Sequence, residues 1–257
     1  MQKADLHPDE RTDTVNFGIR LIEKVSGLTF GTDALLLASF LRAEKNSVAA
    51  ELGGGSGIIS LLSLALDKFR HIDCIEIQES YADLIARNAE ENGMSDRLTV
   101  HAADIREYAV GERCGRMDAV FANPPYMPLS GAANAFPEKN IARHEVFGGI
   151  EDFCAVAARL LRYGGRFSVV YRPDRLIDLI AAMRAHRIEP KEMILVCADA
   201  KTPPSTVLIE GILGGKPSLK VLPPLIVYRH TREVSPRVYT DAMQCLSETG
   251  KFPFRSE

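Results

Sequence analysis

From residue 48 onward, apolar runs of strand length alternate with segments of helical period, and this alternation constrains the fold more than any other feature. The strand-length runs lie at 48–52, 72–77, 98–102, 119–122, 166–171, 193–197 and 206–213. The helical segments lie at 58–66, 81–92, 150–162 and 175–186. This order is typical of an α/β protein in which helices cover both faces of a mostly parallel sheet.

The last two predicted strands have no helix between them, only the turn-forming run Lys201-Thr202-Pro203-Pro204. Such a connection favours an antiparallel hairpin at one end of the sheet. We therefore predict a seven-stranded sheet in a single domain. Residues 1–47 form an N-terminal helical extension with one helix at 33–42, residues 48–213 form the core, and residues 214–257 form a tail in which 225–228 can add a short edge strand.

The composition argues against several classes of protein. A net charge of -3 over 257 residues is not that of a strongly basic nucleic-acid-binding domain, although a local basic face is compatible with it. The N-terminus has no apolar signal-peptide core, and the longest apolar runs are shorter than the ~20 residues of a membrane span. The five cysteines form no C-x-x-C pair, so we expect reduced thiols, no metal and a cytoplasmic location.

A glycine-rich loop, Glu51-Leu52-Gly53-Gly54-Gly55-Ser56-Gly57, connects the first core strand to the first core helix. Closely spaced glycines let the backbone approach a ligand at the N-terminus of a helix. A dinucleotide-binding G-x-G-x-x-G pattern would need a glycine at position 58, where this chain has Ile58. The spacing therefore weakens the NAD interpretation, and the loop by itself is compatible with either a nucleotide site or an ordinary tight turn.

Two acids follow the next two predicted strands. Glu76 lies roughly twenty residues beyond the loop, where nucleotide-binding proteins place an acid that binds a ribose hydroxyl. Asp104 follows the third strand at the same edge of the sheet, where it is able either to accept from an adenine amino group or to cap a helix. The loop and Glu76 together predict a cofactor that contains adenosine.

The run Asn123-Pro124-Pro125-Tyr126 follows the fourth predicted strand. The prolines fix the backbone, so that the Asn123 side-chain oxygen and the Pro124 carbonyl converge as hydrogen-bond acceptors. An exocyclic or amide nitrogen is a poor nucleophile until acceptors engage its N–H groups, and Tyr126 offers a face on which a planar group can stack. The alternative is an ordinary turn, in which Asn and Pro are frequent.

These residues resemble the class I methyltransferases, and the chain from about residue 13 to 228 resembles the bacterial valine-tRNA adenine N6-methyltransferase family. The narrower resemblance rests on the runs FGTDALLLA at 30–38, IEIQ at 75–78, ARHE at 142–145, RPDRL at 172–176, LIEG at 208–211 and GGKP at 214–217. It implies a Rossmann-like fold, S-adenosyl-L-methionine as cofactor, no metal, and an adenine N6 beside the anticodon of a tRNA as the methyl acceptor.

The resemblance also implies a set of site residues. The catalytic residues are Asn123, Pro124, Pro125 and Tyr126. The cofactor contacts are Thr32, Glu51, Gly53, Gly55, Gly57, Glu76, Ile77, Asp104, Ile105 and Asn123. The tRNA contacts are Tyr126, Lys139, Arg143 and Arg172. One residue departs from the family pattern, since a threonine or a similar residue is expected where Gly54 stands.

Three other functions remain open at this point. The same tetrapeptide marks the glutamine methyltransferases of release factors, which usually carry a helical substrate domain before the core, where this chain has about 47 residues. It also marks DNA adenine methyltransferases, which generally add a target-recognition domain. A third reading is a scaffold that binds cofactor or RNA without catalysis. The sequence does not indicate which tRNA is modified or which oligomeric state the protein adopts.

Overall fold

The structure, a computed structural model, describes residues 6–27, 31–42, 45–124, 149–230 and 235–255. Among these residues, nine strands form a central sheet and two form a separate hairpin. The hairpin strands are β1 (Glu10–Thr14) and β2 (Arg20–Lys24). The sheet strands are β3 (Val48–Leu52), β4 (His71–Glu76), β5 (Leu98–Ala102), β6 (Met117–Ala122), β7 (Leu161–Tyr171), β8 (Ile188–Cys197), β9 (Thr206–Leu213), β10 (Lys220–Val221) and β11 (Leu225–Ile226).

The order of the central sheet is β10-β8-β9-β7-β6-β3-β4-β5, and β11 also pairs with β8. Strands β3 to β7 are parallel to one another, whereas β9 is antiparallel to both β7 and β8. The predicted mostly parallel sheet with a C-terminal antiparallel hairpin is therefore confirmed, and two short strands extend it along β8. The chain reverses its direction of sheet growth between β3 and β6, which creates a topological switch point.

Two strands begin five residues earlier than the apolar pattern predicts. In β8, the ladder with β9 starts at Ile188, but its register shifts between Pro190 and Glu192. A proline lacks the N–H of a regular ladder, so it interrupts the strand pattern in the sequence while the irregular ladder accommodates it. In β7, Gly164 and Gly165 interrupt the apolar pattern in the sequence in the same way, although the strand continues through them.

Helices cover both faces of the sheet. They are α1 (Thr32–Phe40), α2 (Ile58–Ala65), α3 (Glu79–Glu91), α4 (Ile105–Tyr108), α5 (Ile150–Leu160), α6 (Leu176–Ala185) and α7 (Asp241–Thr249). Successive strand residues point to opposite faces, so Ala49 joins the core under α1 and α2, while Ala50 joins the core under α5 and α6. No helix in the described ranges has the length and apolar character needed to cross a membrane.

The β1–β2 hairpin and helix α7 are not anticipated by the sequence pattern. Residues 1–47 thus contain a hairpin as well as the predicted helix. The side chain of Asn88 holds the hairpin to α3, since it accepts from Ile22 N at 2.7 Å and donates to Ile22 O at 3.1 Å. The β1 sequence ERTDT lacks the apolar alternation of a half-buried strand, so no periodic signal reveals it.

Candidate functional site

The carboxyl ends of β3 and β6 are neighbours at the switch point. Leu52 of β3 is paired with Ala122 of β6, so the loop after β3 and the segment after β6 begin side by side. Open parallel sheets bind their ligands at this position. The structure thus brings the predicted cofactor loop and Asn123 together at one edge of the sheet.

Residues 53–57 turn the chain from β3 into α2. The Gly53 amide donates to Ile75 O at 2.8 Å, which fastens the loop to the end of β4. A Cβ atom on Gly54 would overlap Cys74 Sγ and would lie 2.9 Å from Ile85 Cδ1. A glycine at position 54 is therefore required by the cysteine behind the loop, which explains the departure from the threonine expected there.

Glu76 ends β4 and faces the glycine loop. Its Oε2 accepts from Gly55 N at 2.9 Å, and its Oε1 accepts from Gln78 N at 2.9 Å. Only 5% of the residue is exposed, and this burial raises the pKa of its carboxyl group while the backbone hydrogen bonds oppose the rise. Hydrogen bonds from the Ile77 backbone and from the Gln78 side chain act on the same carboxyl group. Ile77 lies next to it and is partly buried.

Glu51 lies behind the loop and has no exposed surface. Its Oε2 accepts from the amide of Ser60 at 3.1 Å, from the Ser60 hydroxyl and from Cys74 Sγ at 3.7 Å. Burial raises the pKa of Glu51 to about 8. Through Ser60, Glu51 links β3 to the first turn of α2. Its predicted contact with a cofactor stays a prediction.

Asp104 lies at the carboxyl end of β5 and caps α4. Its side chain accepts from Arg106 N at 2.9 Å and pairs with the Arg106 guanidinium, whose hydrogen bonds lower the pKa of Asp104. Of the two readings of this residue, the helix cap is present in the structure. Contact with an adenine amino group stays a prediction, as does contact by the buried Ile105 beside it.

Asn123 and Pro124 follow β6, directly beside the start of the glycine loop. The Asn123 Oδ1 atom is buried and accepts no hydrogen bond from any described residue. Pro124 is buried as well. Buried polar atoms normally have a hydrogen-bond partner, so this oxygen at the switch point is a candidate acceptor for a donor group of a ligand.

A cavity of about 440 Å³ opens at the carboxyl end of β7, the strand that pairs with β6. It is bounded by Asp33 in the first turn of α1, by Tyr171 and Arg172 at the end of β7, and by Thr206 at the start of β9. Asp33 Oδ1 accepts from Thr206 Oγ1 at 3.2 Å, and burial raises the pKa of Asp33. The predicted cofactor residue Thr32 is exposed at the N-terminus of α1, one residue from this cavity.

The predicted tRNA contacts are distributed unevenly. Arg172 borders the cavity, but its guanidinium already forms two hydrogen bonds with Asp174, at 2.9 and 2.7 Å. A phosphate at Arg172 would therefore compete with Asp174. The remaining predicted residues, Pro125, Tyr126, Lys139 and Arg143, lie outside the described residues.

Asp33, Tyr171 and Thr206 border the cavity without having been singled out from the sequence. Asp33 belongs to the run FGTDALLLA, so its position beside Thr32 was the available signal. No comparable signal marks Tyr171 or Thr206, which read as ordinary strand ends. Among the described side chains, no group of three or more His, Cys, Asp or Glu residues is arranged to hold a metal ion.

Comparison with known proteins shows that most of the described site lies within a recognised family. Residues 26–177 match the model of the family described as methyltransferase small domain. Three curated relatives share the name tRNA1(Val) (adenine(37)-N6)-methyltransferase. The protein of Dyadobacter fermentans is 28% identical over 143 residues, covering 56% of this chain and 58% of the relative. That of Enterobacter sp. is 33% identical over 142 residues, covering 54% and 57%. That of Parabacteroides distasonis is 26% identical over 180 residues, covering 70% and 75%.

The chain thus spans little more than half the length of the first two relatives. Solved structures agree with the fold. A predicted O-methyltransferase from Agrobacterium tumefaciens has a TM-score of 0.69 at 23% identity, covering 88% of this chain and 100% of that one. A geranyl diphosphate C-methyltransferase from Streptomyces coelicolor, solved with S-adenosyl-L-homocysteine, has a TM-score of 0.52 at 15% identity, covering 71% and 80%.

Proposed function

The chain belongs to the methyltransferase small domain family, and from this premise we propose that it methylates the N6 amino group of an adenine in tRNA, beside the anticodon. The methyl donor is S-adenosyl-L-methionine. The names of the curated relatives support the choice of tRNA and of N6. The cytoplasmic location expected from the sequence agrees with a tRNA substrate and stays a prediction.

The described residues fit this cofactor. The N-terminus of α2, reached through residues 53–57, is a position that favours a carboxylate such as that of the methionine moiety. The Glu76 carboxylate, at the end of β4 and beside the glycine loop, is the acid proposed to bind the ribose hydroxyls. When bound, the cofactor supplies an electrophilic methyl group on a sulfonium. Thr32, Ile77, Asp104 and Ile105 are further proposed contacts.

The buried Oδ1 atom of Asn123 is the observation that carries the proposal. An unsatisfied buried acceptor costs about 1–3 kcal/mol, so a ligand that donates a hydrogen bond to it is favoured. Adenine N6 carries two N–H groups, and the oxygen of Asn123 and the carbonyl of Pro124 are the two acceptors for them. With both groups held, the nitrogen lone pair is directed at the methyl carbon rather than into the ring.

The transfer is then an in-line displacement. The N6 lone pair forms a bond to the methyl carbon, the carbon–sulfur bond breaks with its electrons remaining on sulfur, and the surplus proton leaves N6 for solvent. Positioning of the reacting atoms supplies most of the rate, since no proton has to be removed before the transfer. Tyr126 is proposed to stack on the base.

The cavity bounded by Asp33, Tyr171 and Thr206 lies at the end of β7, the strand beside β6, and has the volume to take a base. Entry requires the base to leave its stack in the RNA, at a cost of a few kcal/mol that is smallest in a loop. Arg172, Lys139 and Arg143 are proposed to hold phosphates beside the entrance.

Methyl incorporation tests the proposal. The protein is incubated with radiolabelled S-adenosyl-L-methionine and bulk tRNA from cells that lack it, and the nucleosides are then separated. We expect label in N6-methyladenosine. A parallel reaction contains a release factor in place of tRNA. Label in a release-factor glutamine, with none in any RNA, would show that the acceptors serve a protein amide instead.

A further inference from the structure

Two arginines and two tyrosines form an exposed surface at the carboxyl edge of the sheet, outside the residues matched by the family model. We call Tyr228, Arg229, Arg237 and Tyr239 the arginine–tyrosine surface. Strand β11 runs parallel to β8, with Ile226 paired to Cys197, so the chain after β11 emerges at the same edge as the candidate site.

The side chains of this surface form a three-layered stack. The rings of Tyr228 and Tyr239 are stacked with their centroids 5.3 Å apart and their planes at 28°. The Arg237 guanidinium lies 4.1 Å from the centroid of the Tyr228 ring. An antiparallel bridge between the two tyrosines and the bond from Arg229 N to Val238 O, at 2.9 Å, fix the backbones that carry the stack. The stack is therefore held in place before any ligand arrives.

The turn between β8 and β9 links this stack to the cavity. Tyr228 N donates to Ala198 O at 2.9 Å. A hydrogen bond from Thr202, a backbone bond from Lys201 and the nearby charge of Arg237 lower the pKa of the buried Asp199. The same turn borders the cavity through Pro204. Only one turn of chain thus separates the stack from the proposed base pocket.

The positive charges of Arg237 and Lys201 are accessible to a ligand. Arg237 and Lys201 are exposed, and neither forms an ion pair with a described residue within 4.0 Å, whereas Arg229 is paired with Asp241. Asp199, whose pKa the charge of Arg237 helps to lower, is 2% exposed and therefore presents little of its charge to solvent. Tyr239 remains 36% exposed at the end of the stack. The arginine–tyrosine surface and Lys201 thus combine an accessible aromatic ring with two cations that form no ion pair with a described residue. The whole chain nevertheless carries a net charge of -3.

This combination matches single-stranded RNA. Aromatic rings stack on bases, and arginine and lysine contact the phosphates between them. Building on the proposed function, we propose that the arginine–tyrosine surface, together with Lys201, binds the unpaired RNA strand next to the target adenine. Tyr239 stacks on a neighbouring base, and Arg237 and Lys201 contact the backbone. The surface then holds the strand while the target base enters the cavity.

Binding of an anticodon stem-loop RNA, measured by fluorescence anisotropy in the presence of S-adenosyl-L-homocysteine, tests this inference. We expect Arg237→Ala and Tyr239→Ala each to weaken binding by about tenfold. Tyr239→Phe keeps the ring and should bind like the wild type. Arg237→Ala should also reduce the dependence of affinity on salt, by about one released counterion.

The opposite edge of the sheet provides matched controls. Arg70 is exposed just before β4, and Tyr163, 73% exposed, lies near the start of β7. Arg70→Ala and Tyr163→Ala should leave RNA affinity unchanged, and all variants should bind S-adenosyl-L-homocysteine like the wild type. Equal losses at both edges, or no loss in the arginine–tyrosine surface, would overturn the inference.

The result is separable from the proposed function. Methylation of tRNA by the wild type tests the proposed function, whereas the difference in RNA affinity between the two sets of variants tests the surface. If the wild type methylates tRNA while Arg237→Ala and Tyr239→Ala bind RNA normally, only the surface assignment fails.

Discussion

The two halves of the candidate site differ in how their polar atoms are satisfied. In the cofactor half, made of residues 53–57 and the end of β4, both oxygens of Glu76 accept from backbone amides. In the acceptor half, made of Asn123 and the cavity at the end of β7, the Asn123 oxygen has no described donor, and the half-buried Asp33 accepts from the Thr206 hydroxyl. Within the described residues, the chain therefore satisfies the Glu76 oxygens by itself and leaves the Asn123 oxygen without a donor.

The largest effect is expected from Asn123→Ala, which removes the unsatisfied acceptor. Loss of one preorganised hydrogen-bonding group at a reacting centre typically lowers kcat by about 10²–10³-fold. Affinity for S-adenosyl-L-homocysteine should stay within about twofold of the wild type, because Asn123 lies in the acceptor half. Single-turnover methylation and calorimetric titration measure the two quantities. An equal loss of both would mean that Asn123 shapes the cofactor half too.

A smaller effect of the opposite kind is expected from Glu76→Gln. The substitution replaces one carboxylate oxygen with an NH₂ group that faces a backbone donor, either Gly55 N or Gln78 N. Affinity for S-adenosyl-L-homocysteine should fall by about tenfold to a hundredfold, while kcat at saturating cofactor should change little. Glu79→Gln, at the exposed first residue of α3, is the matched control. A fall in kcat without a fall in affinity would contradict the division into halves.

The close packing of the glycine loop against Cys74 predicts that the effect of a substitution at Gly54 depends on the residue at position 74. Gly54→Ala would place a Cβ atom on Cys74 Sγ, and such overpacking costs about 1–3 kcal/mol. The variant should therefore lose stability and cofactor affinity. Adding Cys74→Ala removes the sulfur and should recover most of the loss, although Ile85 must still shift slightly. A double-mutant cycle of unfolding free energies measures the recovery, and additive losses would contradict the fit.

The contrast between the halves also explains how far the sequence could predict the molecule. The core strands and helices follow from regular apolar periods. The positions of residues 53–57 and Glu76 at one edge of the sheet follow from local runs that end single strands, and their role in cofactor binding stays a prediction. The cavity could not be predicted, because its residues come from three distant segments. The pairing of β7 with β9 brings Tyr171 and Thr206 together, and Asp33 reaches Thr206 from α1. The β1–β2 hairpin was not predicted because β1 has no apolar alternation and β2 buries only the short apolar pair Leu21 and Ile22. Hydrogen bonds to the Asn88 and Asn92 side chains add to that packing.

The smallest effect on the reaction is expected at Glu51, which lies in β3 directly before the glycine loop. Its Oε1 is buried and accepts from no described residue, yet burial raises its pKa to about 8. The carboxyl group is then mostly protonated at neutral pH, and its neutral form avoids the cost of a buried charge. Glu51→Gln should accordingly change kcat and cofactor affinity by no more than about twofold.

The free energy of unfolding, rather than the reaction, should distinguish Glu51→Gln from the wild type. The folded chain keeps a proton that the unfolded chain, with an ordinary pKa of 4.5, releases, so the wild-type free energy of unfolding should fall as the pH rises from about 4.5 to about 8. Glu51→Gln has no proton to lose there and should become more stable relative to the wild type across this window. Urea denaturation of both proteins at several pH values measures the trend. A difference that is independent of pH would mean that Glu51 is ionised in the folded protein, and its Oε1 would then need a donor, as the oxygen of Asn123 does.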